Sequence, residues 1–202
     1  MKKTILLFSM FMLIFTLSAC GRSSDLEKAL NDLEEAHSYT VYTRIPTTYF
    51  GPREIWQMRE GDREYHLVVF REMVENEYFL IPKEDGLYFY QPNQQGLWES
   101  EKIPGDYFDD EDDAVDTGGD TVLDFDASWF EFDDEFYVLK EAYFEKFLGE
   151  DSPYTLNQVR INLDNGEFFI TMDVTDQLNQ KLSINISVTD INSTELIIPF
   201  TP

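Results

Sequence analysis

Residue types that commonly carry catalysis or bind metals are scarce in this chain. Cys20 is its one cysteine, and His37 and His66 are its two histidines, so a zinc site with the usual nitrogen and sulfur ligands cannot be assembled. Gly-x-Ser-x-Gly and Ser-x-x-Lys motifs and a glycine-rich phosphate loop with a lysine are also missing from the sequence. A pair of carboxylates at glycosidase spacing carries no information among 40 acidic residues. We therefore predict no enzyme, no cofactor and no metal centre.

The one cysteine follows a segment typical of secreted bacterial proteins. Lys2 and Lys3 precede a largely apolar run, residues 5–17, which as a helix measures roughly 20 Å and is too short for a stable membrane span. The sequence Leu-Ser-Ala-Cys-Gly at 17–21 resembles the lipobox of bacterial lipoproteins. The resemblance implies a signal peptide at 1–19, a lipid on the thiol of Cys20 and a lipidated tether at 20–24. The alternative is an ordinary signal peptide with an incidental cysteine.

The charge of the chain limits its partners. Removing residues 1–19 leaves 13 basic against 40 acidic residues, a formal net charge of −27. Such a chain is repelled by nucleic acid and by anionic lipid headgroups, so nucleic-acid binding is not expected. Attachment to the membrane must then come from the lipid on Cys20. We expect a monomer on the extracytoplasmic face of a bacterial cell membrane, with a single domain at 25–202.

The first part of that domain combines a helix with a series of strands. Ser24 and Glu27 form a capping box, and helical spacing of apolar residues predicts a helix over 25–37. Alternating patterns separated by turn residues then predict an antiparallel meander with strands at 39–44, 53–59, 64–72, 77–81, 87–91 and 97–101. We expect His37 to interact with the last carbonyls of the helix and His66 to lie on a strand surface.

An acidic stretch interrupts the strands. Residues 104–126 carry dense carboxylates and few residues that could be buried, which predicts a loop insertion. Its oxygen ligands could bind calcium weakly, but the spacing of an EF-hand is missing, and a solvated loop is the alternative. After it we predict strands at 127–132 and 136–139 and a short second helix at 139–148 that ends at Gly149.

The last part of the chain has the clearest strand pattern. Every second residue is apolar in three consecutive segments, and Asn165-Gly166 between the first two suits a tight hairpin turn. The apolar residues are Val159, Ile161, Leu163, Phe168, Ile170, Met172, Val174, Leu182, Ile184, Ile186 and Val188. We predict one further strand at 194–198. The pattern indicates an α+β fold, a curved antiparallel sheet whose apolar inner side is covered by other elements.

Several features together resemble the LolA-like and LppX-like lipoproteins. They are the lipobox, the capped helix, the hairpin with Glu-Tyr-Phe-Leu at 77–80 and Gly-Leu-Tyr-Phe-Tyr at 86–90, Trp98, and the closing segment 189–199. The resemblance implies a strongly curved open half-barrel with the N-terminal helix and the short second helix on its concave side. In that superfamily the space between sheet and helices commonly holds acyl chains or lipoproteins.

Two functions remain open. The first is a binding or carrier module for an apolar or amphiphilic ligand, and its candidate pocket residues are Leu30, Leu33, Trp129, Phe132, Tyr143, Phe144 and Phe147. The alternative for these side chains is an ordinary core between helix and sheet. The second is an envelope interaction protein that displays an acidic surface, around residues 106–135, to a protein or cation partner.

Overall fold

The structure, a computed structural model, describes residues 25–46, 51–104, 123, 125–149 and 152–200. The predicted signal peptide, the tether with Cys20 and most of the acidic loop lie outside these residues. Among the described residues, no helix is long and apolar enough to cross a membrane. The predicted α+β class with an antiparallel sheet is confirmed, because the described strands form one open antiparallel sheet that two short helices accompany.

The sheet contains eleven strands in the order β6-β5-β4-β3-β2-β1-β11-β10-β9-β8-β7. Its strands are β1 Ser38–Ile45, β2 Arg53–Glu60, β3 Arg63–Phe70, β4 Met73–Lys83, β5 Gly86–Pro92, β6 Trp98–Lys102, β7 Phe130–Asp133, β8 Phe136–Leu139, β9 Thr155–Asp164, β10 Glu167–Thr175 and β11 Lys181–Thr189. Two meanders therefore meet where β1 pairs with β11, at Val41 opposite Val188. Among the described strands, β6 and β7 are the outermost.

The apolar alternation in β9, β10 and β11 places their apolar side chains on one face. Phe168 lies opposite both Leu163 and Val188, and Ile170 lies opposite both Ile161 and Ile186. The β9–β10 turn is made by Asn165 and Gly166, which have φ angles of 53° and 87°, as the Asn-Gly pair predicts. We call this side, which also carries Val41, the inner face of the sheet.

The main core lies between the inner face and two helices, α1 at 25–34 and α2 at Phe144–Leu148. Leu26, Ala29 and Leu33 form the buried stripe of α1. The strand residues in this core come from β1 and β7–β11. Leu123 and Phe125, which the sequence analysis placed in the acidic loop, pack against the same core.

A second core lies on the outer face, the side opposite Val41. Tyr65, Phe79 and Tyr90 are register neighbours, and the register links them to Thr40 on β1. Their cluster is completed by Ile198 and Phe200, among others. The prediction of a strand at 194–198 is wrong, because this segment has no strand ladder and instead crosses the outer face.

Four local expectations also need correction. Residues 127–129 form a 3₁₀ turn before β7, and the predicted helix at 139–148 is a 3₁₀ turn at Glu141–Tyr143 followed by the short α2. Because α1 ends at residue 34, His37 lies beyond it, and its ring lies against Gly61. His66 is buried at 7% exposure rather than lying on a strand surface.

Candidate functional site

The predicted pocket residues all belong to the main core. Leu33 and Trp129 are buried in it, and Leu30, Phe132, Tyr143, Phe144 and Phe147 are half-buried against it. Trp129 stacks on Tyr143 with 5.6 Å between ring centroids, and Lys146 Nζ lies 4.3 Å from the Trp129 ring centroid. The structure therefore places these residues in one core, in which Trp129 and Tyr143 contact each other.

Two further rings of this group, Phe132 and Phe147, have close partners too. Phe147 lies 5.7 Å from Phe125 and 6.2 Å from Phe130, and Phe132 lies 5.1 Å from Tyr137, as centroid distances. Contacts at such distances are typical of a packed aromatic core. A ligand at this position would have to separate rings that already contact each other.

A different part of the inner face, on β2–β5, carries a polar and aromatic group that we call the His66 patch: Gln57, Glu64, His66, Tyr78 and Phe89. The His66 ring is stacked on Tyr78 at 4.6 Å with 9° between planes, and Tyr78 lies 4.9 Å from Phe89. Gln57 lies opposite His66, and His66 lies opposite Tyr78. Direct cross-strand pairs thus join the patch residues of β2, β3 and β4, and a diagonal contact from Tyr78 joins Phe89 on β5.

The polar atoms of the patch hold the imidazole in place. His66 Nε2 lies 3.3 Å from Glu64 Oε2, and Nδ1 lies 3.5 Å from the Gln57 amide nitrogen. A carboxylate accepts only, so we assign the proton to Nε2 and the lone pair to Nδ1. Both ring nitrogens are therefore engaged within the patch.

Apolar side chains surround the patch. Leu80 is 5% exposed, and Ile55 and Val68 are half-buried and lie opposite each other on the inner face. The main core draws its members from α1, β1, α2, β7–β11 and the adjoining turns and loops, and none of those described is on β2–β6. The β2–β5 part of the inner face therefore carries apolar side chains beside the polar patch, and the main core does not use them.

One cationic side chain lies at the border of the patch. Arg59 is opposite both Tyr39 and Glu64. A hydrogen bond with Tyr39 raises the pKa of the Arg59 guanidinium. Partial burial lowers this pKa, and the nearby carboxylates of Glu64 and Asp62 raise it further. Arg59 Nε also donates to the Gly61 carbonyl at 3.0 Å. The guanidinium stays charged and is tied to its own turn.

A second concavity lies beside α1. This groove has a volume of about 820 Å³ and is lined by side chains of α1, the β9–β10 turn and residues 190–193. Its charged lining residues are Asp25, Lys28, Asp32, Glu35, Glu167 and Asp190, and Lys28 pairs with Asp32 at 3.0 Å. Within the described ranges, no group of three or more His, Cys, Asp or Glu side chains could hold a metal ion.

Comparison of the chain with protein-family models, with curated proteins and with solved structures finds no match. The resemblance to LolA-like lipoproteins therefore stays a prediction. The His66 patch is not evident from the sequence, because its members come from four strands and meet through the strand register. Alternation places each of these residues on one face of its own strand, but only the pairing of β2, β3 and β4 shows that they are neighbours.

Proposed function

We propose that this chain is a non-enzymatic, lipid-anchored binding module on the extracytoplasmic face of a bacterial membrane, with a LolA-like half-barrel that holds an apolar or amphiphilic molecule. The supporting observation is the inner face of β2–β5, which carries half-buried apolar and aromatic side chains outside the main core. The ligand would lie there, and not among the aromatic residues that contact one another beside α2.

The chemistry of this surface suits a molecule with a long apolar part. Ile55, Val68, Leu80 and Phe89 supply apolar contact area, and burying such area is the main source of affinity for apolar ligands. The His66–Gln57 and His66–Glu64 contacts give the surface a fixed polar point that could orient an amphiphile.

The proposed anchor supports exchange with a bilayer. A tether of residues 21–24 spans at most about 14 Å when extended. The first described residue, Asp25, lines the same groove as Asn165 and Gly166, so the start of α1 lies at the end of the sheet that bears this turn. A short tether would keep that end of the sheet close to the membrane.

A pair of neighbouring valines allows a sharp test. Val68 lies on the inner face and Val69 on the outer face of β3, and both are half-buried. We expect Val68→Asn to weaken binding of a fluorescent fatty acid about fivefold or more, through the lost apolar contact of about 1 kcal/mol. Val69→Asn, the matched control, should leave the affinity near that of wild type.

The same protein, purified from its host envelope, should carry lipid detectable by native mass spectrometry. The proposal fails if no lipid is found and the fatty acid does not bind, or if the two valine variants lose affinity equally.

The second candidate function is an interaction protein that displays an acidic surface. The acidic groove beside α1 favours it, because five carboxylates and one lysine line it. Replacing Asp25, Glu35 and Asp190 by Asn, Gln and Asn would then abolish partner binding and leave fatty-acid affinity unchanged. The first candidate predicts no loss of function from these changes.

A further inference from the structure

Segment 194–200 lies on the outer face as an extended ligand would. Leu196 is buried, Ile197 is 85% exposed, Ile198 is half-buried and Pro199 is exposed. Such alternation is the burial pattern of an extended chain with one side on a surface. Leu196 N donates to Glu60 Oε2 at 3.1 Å, and the hydroxyls of Thr194 and Thr40 are 3.0 Å apart.

Phe200 ends the segment in an aromatic cleft formed by Phe79, Tyr90 and Trp98. Its ring is stacked on Tyr90 at 4.4 Å with 16° between planes, and it lies 5.0 Å from Trp98 and 5.5 Å from Phe79 in an edge-on contact. Phe79 and Tyr90 are buried. The cleft therefore contacts one phenyl ring from three sides.

The attachment of this segment differs from that of the strands. Before it, the turn at 190–193 is fixed by Asn192. The backbone N–H of Asn192 donates to the Ser38 carbonyl at 2.7 Å, and its side-chain Oδ1 accepts from the backbone N–H of His37 at 2.8 Å. Segment 194–200 itself is held through side chains and not through a ladder of backbone hydrogen bonds. The burial of three apolar side chains and the ordering of seven residues are free energies of the same order, so the docked state is favoured by only a small margin.

We infer that the outer face contains a peptide-binding site that segment 194–200 fills in cis. Its ligand class is an extended peptide with apolar residues at alternate positions and an aromatic ring two residues after the second of them. The site lies on the face opposite the His66 patch, so it does not rest on the proposed function, and either can fail without the other.

The test uses the full chain and a fluorescently labelled peptide that covers residues 193–200. In the wild type, the attached segment competes at an effective concentration in the millimolar range. The double variant Ile198→Ala/Phe200→Ala empties the cleft, and we expect it to bind the peptide about tenfold or more tightly than the wild type, by fluorescence anisotropy. Ile197→Ala, whose side chain points to solvent, is the matched control and should bind like the wild type.

Two further measurements make every result decisive. A peptide with Phe200→Ala should lose binding, and the intact peptide should shift the NMR signal of the Trp98 indole in the double variant. Equal binding to wild type and double variant overturns the inference, and so does no binding to a folded double variant. A double variant that is unfolded by circular dichroism also overturns it, because the segment would then be part of the folding core.

Discussion

At the scale of single residues, the structure corrects the sequence analysis most clearly at His66. The strand pattern of β3 is visible in the sequence, but alternation does not reveal whether an inner-face residue is covered. Gln57, Glu64 and Tyr78 reach His66 from three strands, its own included, and bury it. Cross-strand neighbours depend on register, which a single strand pattern does not contain.

Tyr65 provides a prediction at this scale. Burial, followed by the hydrogen bond from its hydroxyl to Glu77 Oε1 at 2.9 Å, raises the pKa of Tyr65 well above its ordinary value. A raised folded-state pKa means that the stabilisation is fully present below the unfolded value of 10.0 and is lost as the pH rises through the folded value. We expect Tyr65→Phe to lower the free energy of unfolding by about 1 kcal/mol at neutral pH.

Urea denaturation at neutral pH and above pH 10.0 measures this difference. Because only the wild type carries the ionisable hydroxyl, the gap between wild type and variant should shrink on the alkaline side. Tyr88→Phe, which removes the exposed hydrogen bond to Asp85, is the control and should change stability less. If the difference in the free energy of unfolding between wild type and Tyr65→Phe stays constant with pH, ionisation of Tyr65 does not contribute to the loss of stability at alkaline pH.

At the scale of elements, the main core depends on α1. Leu33 on α1 is 6% exposed, and Leu178, in the β10–β11 loop, is 71% exposed. We expect Leu33→Ala to lower the free energy of unfolding by about 2–5 kcal/mol, through lost apolar contact and the cavity left behind. Leu178→Ala, the same chemical change on the surface, should alter it by less than about 0.5 kcal/mol.

Urea denaturation of the two leucine variants checks the role of α1, provided that the dependence of the free energy of unfolding on urea concentration is the same in both. Equal effects of Leu33→Ala and Leu178→Ala would contradict the docking of α1 on the inner face.

The sequence predicted most elements of this fold, and its failures at 194–198 and at 139–148 have different causes. Each strand expected between residues 39 and 101 has a counterpart, because alternation of apolar residues marks one covered face. Residues 194–198 alternate for the same reason, yet their covered face rests on the outer side of the sheet without strand pairing. Alternation reports which side chains are covered, and not which backbone groups are paired.

The second failure concerns residues 139–148. A helix of ten residues that ends at Gly149 was predicted, whereas the chain forms a 3₁₀ turn and a helix of five residues. Tyr143, Phe144 and Phe147 pack against the main core from this irregular segment. Tertiary packing of large rings has overridden local helix propensity here.

At the scale of the whole molecule, the two meanders differ in what covers them. The inner face of β7–β11 is covered by α1 and α2, and the outer face of β3–β5 is covered in part by Ile198 and Phe200. One half of the sheet therefore has its core on the inner face, and the other half has its core on the outer face. This division leaves the inner face of β2–β5 outside both cores, which is why the proposed ligand site is placed there.

The proposed anchoring of the whole molecule can be tested at Cys20. A net charge of −27 for residues 20–202 opposes adsorption to anionic lipid headgroups, and each CH₂ of an attached acyl chain contributes about 0.8 kcal/mol to membrane binding. We expect Cys20→Ser to move the protein from the membrane fraction to the soluble or secreted fraction. Ser24→Ala, which leaves the lipobox unchanged, is the control and should stay with the membrane. Recovery of Cys20→Ser in membranes after a high-salt wash would show that another part of the chain supplies the attachment.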